Sequence, residues 1–228
     1  MALWPQRRIH MRRCGQTPRQ PKGSYGEGVA GNRGAFFVAE LRGAPENGAM
    51  ILSAQLTHFG IHTTDLDLMV GFYTRVMGFV VSDSGTGSSG ARIAFMTQNP
   101  ECHHQFVLFD GKPKDLAYNP VNQISFRLDS LDMLKAYRKA LIAEGITQHR
   151  ITDHGNAWAL YFKDPEGNPV ELYVDSPFYT PQPCGEPLDL DQPNDAILAR
   201  TEAMCKSRPR FMSREAWMQG IQDRLDAR

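Results

Sequence analysis

The sequence has no excess of charge of either sign and no long apolar run. It contains 25 Lys and Arg residues against 25 Asp and Glu residues, a balance that gives no support for binding to nucleic acid or to an anionic membrane surface. A transmembrane helix needs a run of about 18 apolar residues, and no such run occurs. Neither a nucleic acid nor a membrane is therefore expected as a partner.

The sequence is also poor in cysteine. Its four cysteines are scattered and show no C-x-x-C spacing: Cys14, Cys102, Cys184 and Cys205. This excludes a disulfide framework and a zinc-type Cys/His cluster, and it predicts reduced thiols in a cytoplasmic protein. A phosphate-binding loop and a nucleophile elbow are absent as well.

The first fifty residues differ from the rest. Residues 1–26 carry six basic residues and no acid, with many Gly, Pro and Gln and little hydrophobic periodicity. We expect residues 1–50 to be a disordered leader, or an upstream start that precedes a real beginning at Met50. An organellar transit peptide is the alternative, although serine enrichment and an amphipathic period are missing.

Regular patterning begins at Leu56 and follows one order twice: strand, helix, three strands. In the first pass, LTHFGIHT alternates like a strand, and DLDLMVGFYTRVMGF has apolar residues at helical spacing before Gly78. In the second pass, NQISFRL predicts a strand and SLDMLKAYRKALIAEG a helix. The segments ITQHRI, AWALYF and VELYVD then predict three more strands.

The two passes are an internal repeat. NPECHHQFVLF (residues 99–109) and DPEGNPVELYV (residues 164–174) align at an offset of 65 positions, and the offset also relates the first strand and helix of each pass. A repeat of this length predicts two copies of one βαβββ unit within residues 51–176. Residues 177–228 form an extension: a Pro-rich stretch, then helices near residues 195–206 and 213–226, expected to pack on the core or on a partner subunit.

The residues that open and close these units resemble the metal-binding strands of the vicinal oxygen chelate superfamily. The segments are LTHFGIH, NQISFRL and YFKDPEGNPVELY, and the resemblance covers residues 56–177. It implies an α+β fold in which two βαβββ modules form a U-shaped mixed sheet around a cleft. Within the superfamily, HHQFVL and DHGNAWALYFKDPEGN look most like the extradiol catechol dioxygenases, and they fit somewhat with the glyoxalases.

The resemblance implies four possible metal positions: His58, Phe106, Gln123 and Glu171. A phenyl ring cannot bind a metal, so three protein ligands remain. A six-coordinate ion then keeps about three open positions, as in non-haem Fe(II) oxygenases, where a catecholate and O₂ share the vacant sites. Gln123 stands where the dioxygenase pattern has His, so the ion is Fe²⁺ or another divalent metal such as Mn²⁺, or catalysis is altered or lost.

Three further residues match catalytic positions of the extradiol dioxygenases. His104 is the candidate acid and base, since an imidazole can take and return a proton near neutral pH. His154 and Tyr161 are expected to hydrogen-bond the oxygens of the substrate. The competing interpretations are that His103 and His104 are turn residues, that His154 is a loop residue and that Tyr161 is a strand aromatic.

These residues lead to one expected function and two alternatives. The expected function is an extradiol-type dioxygenase, a homo-oligomer that cleaves a small aromatic diol with O₂. The first alternative is a glyoxalase- or epimerase-like isomerase, or a lyase, that uses the same metal without O₂. The second is a metal-free binding protein of the bleomycin-resistance kind.

Overall fold

A computed structural model describes residues 55–227, so the expectation of a leader at residues 1–50 lies outside the described residues. The first unit consists of β1 (Phe59–Thr63), α1 (Leu66–Arg75), β2 (Val80–Thr86), β3 (Arg92–Thr97) and β4 (Phe106–Asp110). The second consists of β5 (Ile124–Arg127), α2 (Leu131–Ala143), β6 (Arg150–Asp153), β7 (Ala157–Lys163) and β8 (Pro169–Asp175). The extension adds β9 (Phe178–Tyr179), β10 (Glu186–Pro187), α3 (Asn194–Lys206), β11 (Met212–Ser213) and α4 (Arg214–Asp226).

Each unit builds its own mixed sheet. The first has the strand order β1-β4-β3-β2, and the second has the order β10-β6-β7-β8-β5. In both, the first strand of the unit runs parallel to its last strand, and the other pairs are antiparallel. The predicted α+β fold of two βαβββ units with C-terminal helices is confirmed, with the strands divided between two sheets.

The helices begin and end where the sequence predicts. Asp65 caps the backbone N–H of Leu68 at the start of α1, and Ser130, 65 positions later, caps Met133 at the start of α2. Gly78 and Gly145 follow the two helices with φ values of 74° and 81°. These left-handed conformations are open to glycine and strained for other residues, so the two glycines set the turn that leaves each helix.

The strand registers correct one part of the repeat alignment. In the first unit Gly60 lies opposite Val107, and in the second Ser125, the counterpart of Gly60, lies opposite Glu171. The residue that corresponds to Glu171 is therefore Val107, and the assignment of Phe106 to that position is wrong by one residue. A shift of one position turns a side chain to the other face of a sheet. Phe106 is accordingly buried in the core. Valine also cannot bind a metal, so the count of three ligands is unchanged.

One hydrophobic core joins both units and α3, and the turn after β7 ties the units together at its edge. Glu166, in that turn, accepts hydrogen bonds from the N–H groups of Thr64 and Asp65 (2.6 and 3.0 Å). It also forms an ion pair with Lys112 (3.2 Å). Burial opposes ionisation of this carboxyl, but these donors outweigh it and lower its pKa. Glu166 therefore holds the start of α1 in the first unit against the second unit.

The extension is attached through a buried polar network. Trp158 on β7 donates its indole N–H to the hydroxyl of Thr201 on α3 (2.7 Å), and that hydroxyl donates to Asp153 (2.7 Å). Asp153 and Thr201 are fully buried. The expectation that the tail packs on the core is met by α3. Within residues 55–227 no helix has the length and apolar character needed to cross a membrane.

Two segments differ from the sequence expectations. The first is β6, predicted over residues 146–151: it begins only at Arg150, the first residue that lies opposite a partner on β7, namely Tyr161. The second is the Pro-rich stretch, expected to be extended without a regular period, in which the strands β9 and β10 form. These short strands form because β11 and β6 offer them edges to pair with.

Candidate functional site

Glu171 is the centre of a hydrogen-bonded group on the face of the second sheet that points away from the core. It lies on β8 beside Ser125 of β5, and residues at opposed positions of neighbouring strands project to the same face. Oε2 of Glu171 accepts the hydroxyl of Ser125 and the amide Nε2 of Gln123 (3.1 Å). The carboxylate is nearly buried, with 8% exposure. Two of the three predicted metal ligands, Gln123 and Glu171, are thus in direct contact.

Tyr161 meets the same carboxylate from the opposite side. It lies on β7 directly across from Glu171 and donates its hydroxyl hydrogen to Oε1. Burial, together with this bond to Glu171, raises the pKa of the phenol above its ordinary value. The guanidinium of Arg150 lies over the ring, 4.2 Å from its centroid. Tyr161 is therefore a protonated donor with a fixed ring.

His154 continues this chain. Its Nε2 lies 2.8 Å from the hydroxyl oxygen of Tyr161, and its Nδ1 lies 2.6 Å from the backbone carbonyl of Cys184. Since a carbonyl only accepts, Nδ1 carries a hydrogen and Nε2 is the nitrogen directed towards Tyr161 and Glu171. The extension thereby fixes how the imidazole faces the site.

The loop that carries His154 is shaped by Gly155 and Gln182. Gly155 has a φ of 76°, and a Cβ there would lie 2.5 Å from Cγ2 of Thr180. The side chain of Gln182 donates to the carbonyl of His154 (2.8 Å) and accepts from the N–H of Cys184 (2.9 Å). A side chain at position 155 would have to displace the extension, so the loop that carries His154 is packed directly against the extension.

The histidines of the first unit form a second group. The rings of His58 and His104 lie 4.3 Å apart between centroids, and Nδ1 of His103 is 2.9 Å from Nδ1 of His104. The ring of Phe95 packs against His104 at 5.1 Å. Desolvation, followed by the charges of His58 and His103, lowers the pKa of His104. His104 is therefore a neutral imidazole that can accept a proton at neutral pH.

The predicted site residues thus fall into two contact groups. Gln123, Glu171, Tyr161 and His154 form one hydrogen-bonded chain, and His58 with His104 forms the other. No hydrogen bond or ring contact joins the two groups in the described part of the chain. Among residues 55–227 no three His, Cys, Asp or Glu residues are arranged to hold a metal ion. The predicted ligand set contains only two residues of these four types, His58 and Glu171, because its third member is Gln123. This result therefore does not test the set, which stays a prediction.

The sequence interpretation missed two residues and one backbone group of this site. They are Ser125, which bonds to Glu171, Arg150, which covers Tyr161, and the carbonyl of Cys184, which orients His154. Ser125 had a signal, because it lies two residues after Gln123 on one strand and so shares its face. The carbonyl of Cys184 had none, since a backbone group leaves no trace in a sequence.

A comparison with known families decides what kind of protein carries this site. The model described as the Glyoxalase/Bleomycin resistance protein/Dioxygenase superfamily matches residues 55–172, more than half of the chain. The chain belongs to this superfamily. The match covers both βαβββ units and ends within β8, one residue after Glu171, so the resemblance noted in the sequence is confirmed.

Two individual relatives match more than half of the chain. Biphenyl-2,3-diol 1,2-dioxygenase 3 of Rhodococcus globerulus is 31% identical over 139 residues, which cover 58% of this chain and 69% of the relative. Biphenyl-2,3-diol 1,2-dioxygenase 2 of the same organism is 28% identical over 137 residues, covering 58% and 68%. A glyoxylase/bleomycin resistance protein/dioxygenase domain from Frankia sp. EAN1pec, known as a crystal structure, is 21% identical with a TM-score of 0.47, covering 54% of this chain and 93% of that one.

Proposed function

We propose that this protein is a metal-dependent extradiol-type dioxygenase that cleaves a catechol-like aromatic diol with O₂. The observation that carries the proposal is the hydrogen-bonded chain from His154 through Tyr161 to Glu171. It puts an oriented imidazole and a protonated phenol beside the carboxylate proposed to bind the metal. The two relatives named as biphenyl-2,3-diol 1,2-dioxygenases support the same reaction.

The proposed metal ligands are His58, Gln123 and Glu171, with Fe²⁺ as the leading ion and Mn²⁺ or another divalent metal as the alternative. The donors are an imidazole nitrogen, an amide oxygen and a carboxylate oxygen, a set that suits divalent first-row metals. Gln123 turns its amide nitrogen towards Glu171, because a carboxylate only accepts hydrogen bonds. With a cation next to Glu171, the amide would present its oxygen instead.

The remaining residues handle the protons and oxygens of the substrate. A bound Fe²⁺ ion would supply Lewis acidity towards the diol and the redox chemistry that a reaction with O₂ requires. His104, held neutral, accepts the proton of one substrate hydroxyl and later returns it. Tyr161 and His154 hydrogen-bond the substrate's oxygens from the side of Glu171, with the phenolic hydrogen of Tyr161 as the donor. Phe95 packs its ring against His104 and so limits the movement of the imidazole.

The test is turnover of a defined diol. Protein loaded anaerobically with Fe²⁺ receives 2,3-dihydroxybiphenyl and then O₂, and we expect a yellow ring-cleaved product together with uptake of an equal amount of O₂. Failure of every catechol tried to produce either signal would refute the proposal. Turnover of a substrate without O₂ would point to an isomerase or lyase. Tight ligand binding by protein that elemental analysis shows to be metal-free would point to a binding protein.

The proposal includes a location and an assembly. We place the protein in the cytoplasm, with a small aromatic diol and O₂ as its co-substrates and with a second copy of the chain as its partner. Strand β2 is an edge strand exposed along its whole length, and its Val80 and Val81 are 59% and 42% exposed. An edge strand that exposes two valines is a surface to which a second copy of the chain can pair. The mass in solution, measured by light scattering, tests the assembly.

A further inference from the structure

The face of the second sheet that carries Glu171 continues into a cavity. Side chains two positions apart on a strand share a face, so Glu171, Tyr173 and Asp175 form one row on β8. Arg127 on β5 lies opposite Tyr173, just as Ser125 lies opposite Glu171. At about 3.3 Å per residue, the Tyr173–Arg127 pair is displaced by roughly 7 Å along the strands from the Glu171–Ser125 pair. A substituent on an aromatic ring bound next to Glu171 would therefore reach the Tyr173–Arg127 pair.

The cavity at this point has a volume of about 180 Å³. Its lining includes Arg127, Tyr173, Asp175, Tyr179, Arg214 and Trp217. A complete ligand site usually occupies about 300–1,000 Å³. The space is therefore suited to one substituent of a ligand rather than to the whole molecule.

The extension builds the far wall of this cavity. Pairing of β11 with β9 leads the chain into α4, and the N–H of Arg214 bonds to the carbonyl of Pro177 (2.9 Å). The rings of Tyr179 and Trp217 stack there at 5.6 Å with an interplanar angle of 17°. Trp217 keeps 36% of its surface exposed. These rings give the cavity a flat apolar side.

The charges in the cavity favour an anion. Two guanidinium groups face a single carboxylate: Arg214 bonds to Oδ2 of Asp175 at 2.9 Å, and Arg127 lies 3.6 Å from the same atom. The lining therefore carries one net positive charge. Within residues 55–227 the guanidinium of Arg127 makes no hydrogen bond, and its side chain is 64% exposed. Because Arg127 has only this longer ion pair with Asp175, its planar fork can take a carboxylate through two parallel bonds.

We propose that this cavity is a substrate subsite that binds the carboxylate side chain of an aromatic diol, with Arg127 as the residue that recognises it. One net positive charge matches a carboxylate monoanion, and Asp175 disfavours a dianion such as a phosphate monoester. The inference rests on the proposed function, because it takes the Glu171 end of the same face as the place where the diol binds.

The experiment compares two ligands on three proteins. The ligands are 3,4-dihydroxyphenylacetate, which carries a carboxylate, and 4-methylcatechol, which does not. The dissociation constant of each is measured anaerobically by calorimetry with Fe²⁺-loaded wild type, Arg127→Gln and Arg75→Gln. Arg75→Gln is the matched control. Arg75 is an exposed arginine on α1 that pairs with Glu144 and lies outside the cavity. Oxygen uptake with both ligands is measured in parallel.

We expect wild type to bind the carboxylated diol more tightly than the uncharged one. Arg127→Gln should reduce this preference by about 10- to 100-fold, the usual effect of removing a charge-assisted bond. Arg75→Gln should keep the wild-type preference. A wild type without preference, or a preference that survives in Arg127→Gln, overturns the subsite.

The parallel measurement separates the two proposals. If uncharged catechols are cleaved and Arg127→Gln changes nothing, the subsite fails and the dioxygenase stands. If neither ligand consumes O₂ while the preference depends on Arg127, the dioxygenase fails and an anion-selective ligand site stands. Circular dichroism of Arg127→Gln confirms folding, and Arg127→Lys provides a second variant that keeps the charge without the fork. It should restore only part of the preference.

Discussion

Tyr161 donates its phenolic hydrogen to Glu171 from the directly opposed position of the neighbouring strand. Burial of the phenol and the nearby carboxylate both keep it protonated. The same hydroxyl oxygen faces Nε2 of His154. One atom therefore connects the imidazole to the carboxylate, and its removal interrupts the whole chain of contacts while leaving the aromatic ring in place.

Tyr161→Phe should lower kcat/KM for an aromatic diol by about 10²-fold or more, the usual contribution of a positioned proton donor. The measurement is O₂ uptake by Fe²⁺-loaded protein. Tyr118→Phe is the matched control, because Tyr118 is 75% exposed and its hydroxyl removal should not change the rate. Equal rates for Tyr161→Phe and wild type would show that the phenol has no part in turnover.

Metal content should depend on Glu171 and respond to Gln123. Glu171→Gln removes the charged donor and should lower the bound iron per chain by about 10-fold or more. Gln123→His replaces an amide oxygen by a stronger imidazole donor and should raise it. Elemental analysis after anaerobic loading measures both.

The control for these metal measurements is Gln222→His, which adds an imidazole on the exposed helix α4. It should leave the iron content at the wild-type level. If Glu171→Gln binds as much iron as wild type, the ion is held elsewhere and the proposed ligand set is wrong.

Glu166→Gln should destabilise the fold by about 1.5–3 kcal/mol at pH 7, because the charged acceptor for Thr64, Asp65 and Lys112 is lost. The pKa of Glu166 is lowered in the folded state, so its contribution is complete above the ordinary value of 4.5. The contribution disappears as the pH falls through the lower folded pKa. Urea unfolding at pH 7 and below pH 4 measures the difference between variant and wild type.

Glu144→Gln provides the comparison for Glu166. Its ion pair with Arg75 is exposed on both sides, and such pairs contribute little. A stability loss for Glu144→Gln as large as that for Glu166→Gln would contradict the role assigned to the buried turn. So would a difference between wild type and Glu166→Gln that stays constant in acid.

Thr201→Val should destabilise the second unit by about 2–4 kcal/mol, since it leaves the N–H of Trp158 and the carboxyl of Asp153 buried without their shared partner. Thr201→Ser retains the hydroxyl and should lose much less. Thermal unfolding measures both. Equal melting temperatures for the two variants would show that the hydroxyl contributes no stability.

The repeat explains why much of the fold was predictable from the sequence. Asp65 and Ser130 start the two helices and Gly78 and Gly145 end their turns, and these local signals depend only on neighbouring residues. Less of the candidate site could be predicted from the sequence. Glu171 and Gln123 were predicted as a pair from the resemblance to the superfamily, and Ser125 was missed although it lies two residues after Gln123 and shares its face. The placement of Gln182 and Thr201 depends on contacts across 28 and 43 residues, which no local pattern encodes.

The hydrogen bond between Trp158 and Thr201 can form only after α3 has been synthesised. Trp158 and Asp153 leave the ribosome well before Thr201, and domains generally fold from the N-terminal side as the chain emerges. Until α3 has been made, the indole N–H of Trp158 lacks its acceptor, and Asp153 keeps only the hydrogen bond from the N–H of Gly155. A nascent chain that stalls before α3 therefore has all five strands of the second sheet but leaves Trp158 and Asp153 without the Thr201 hydroxyl.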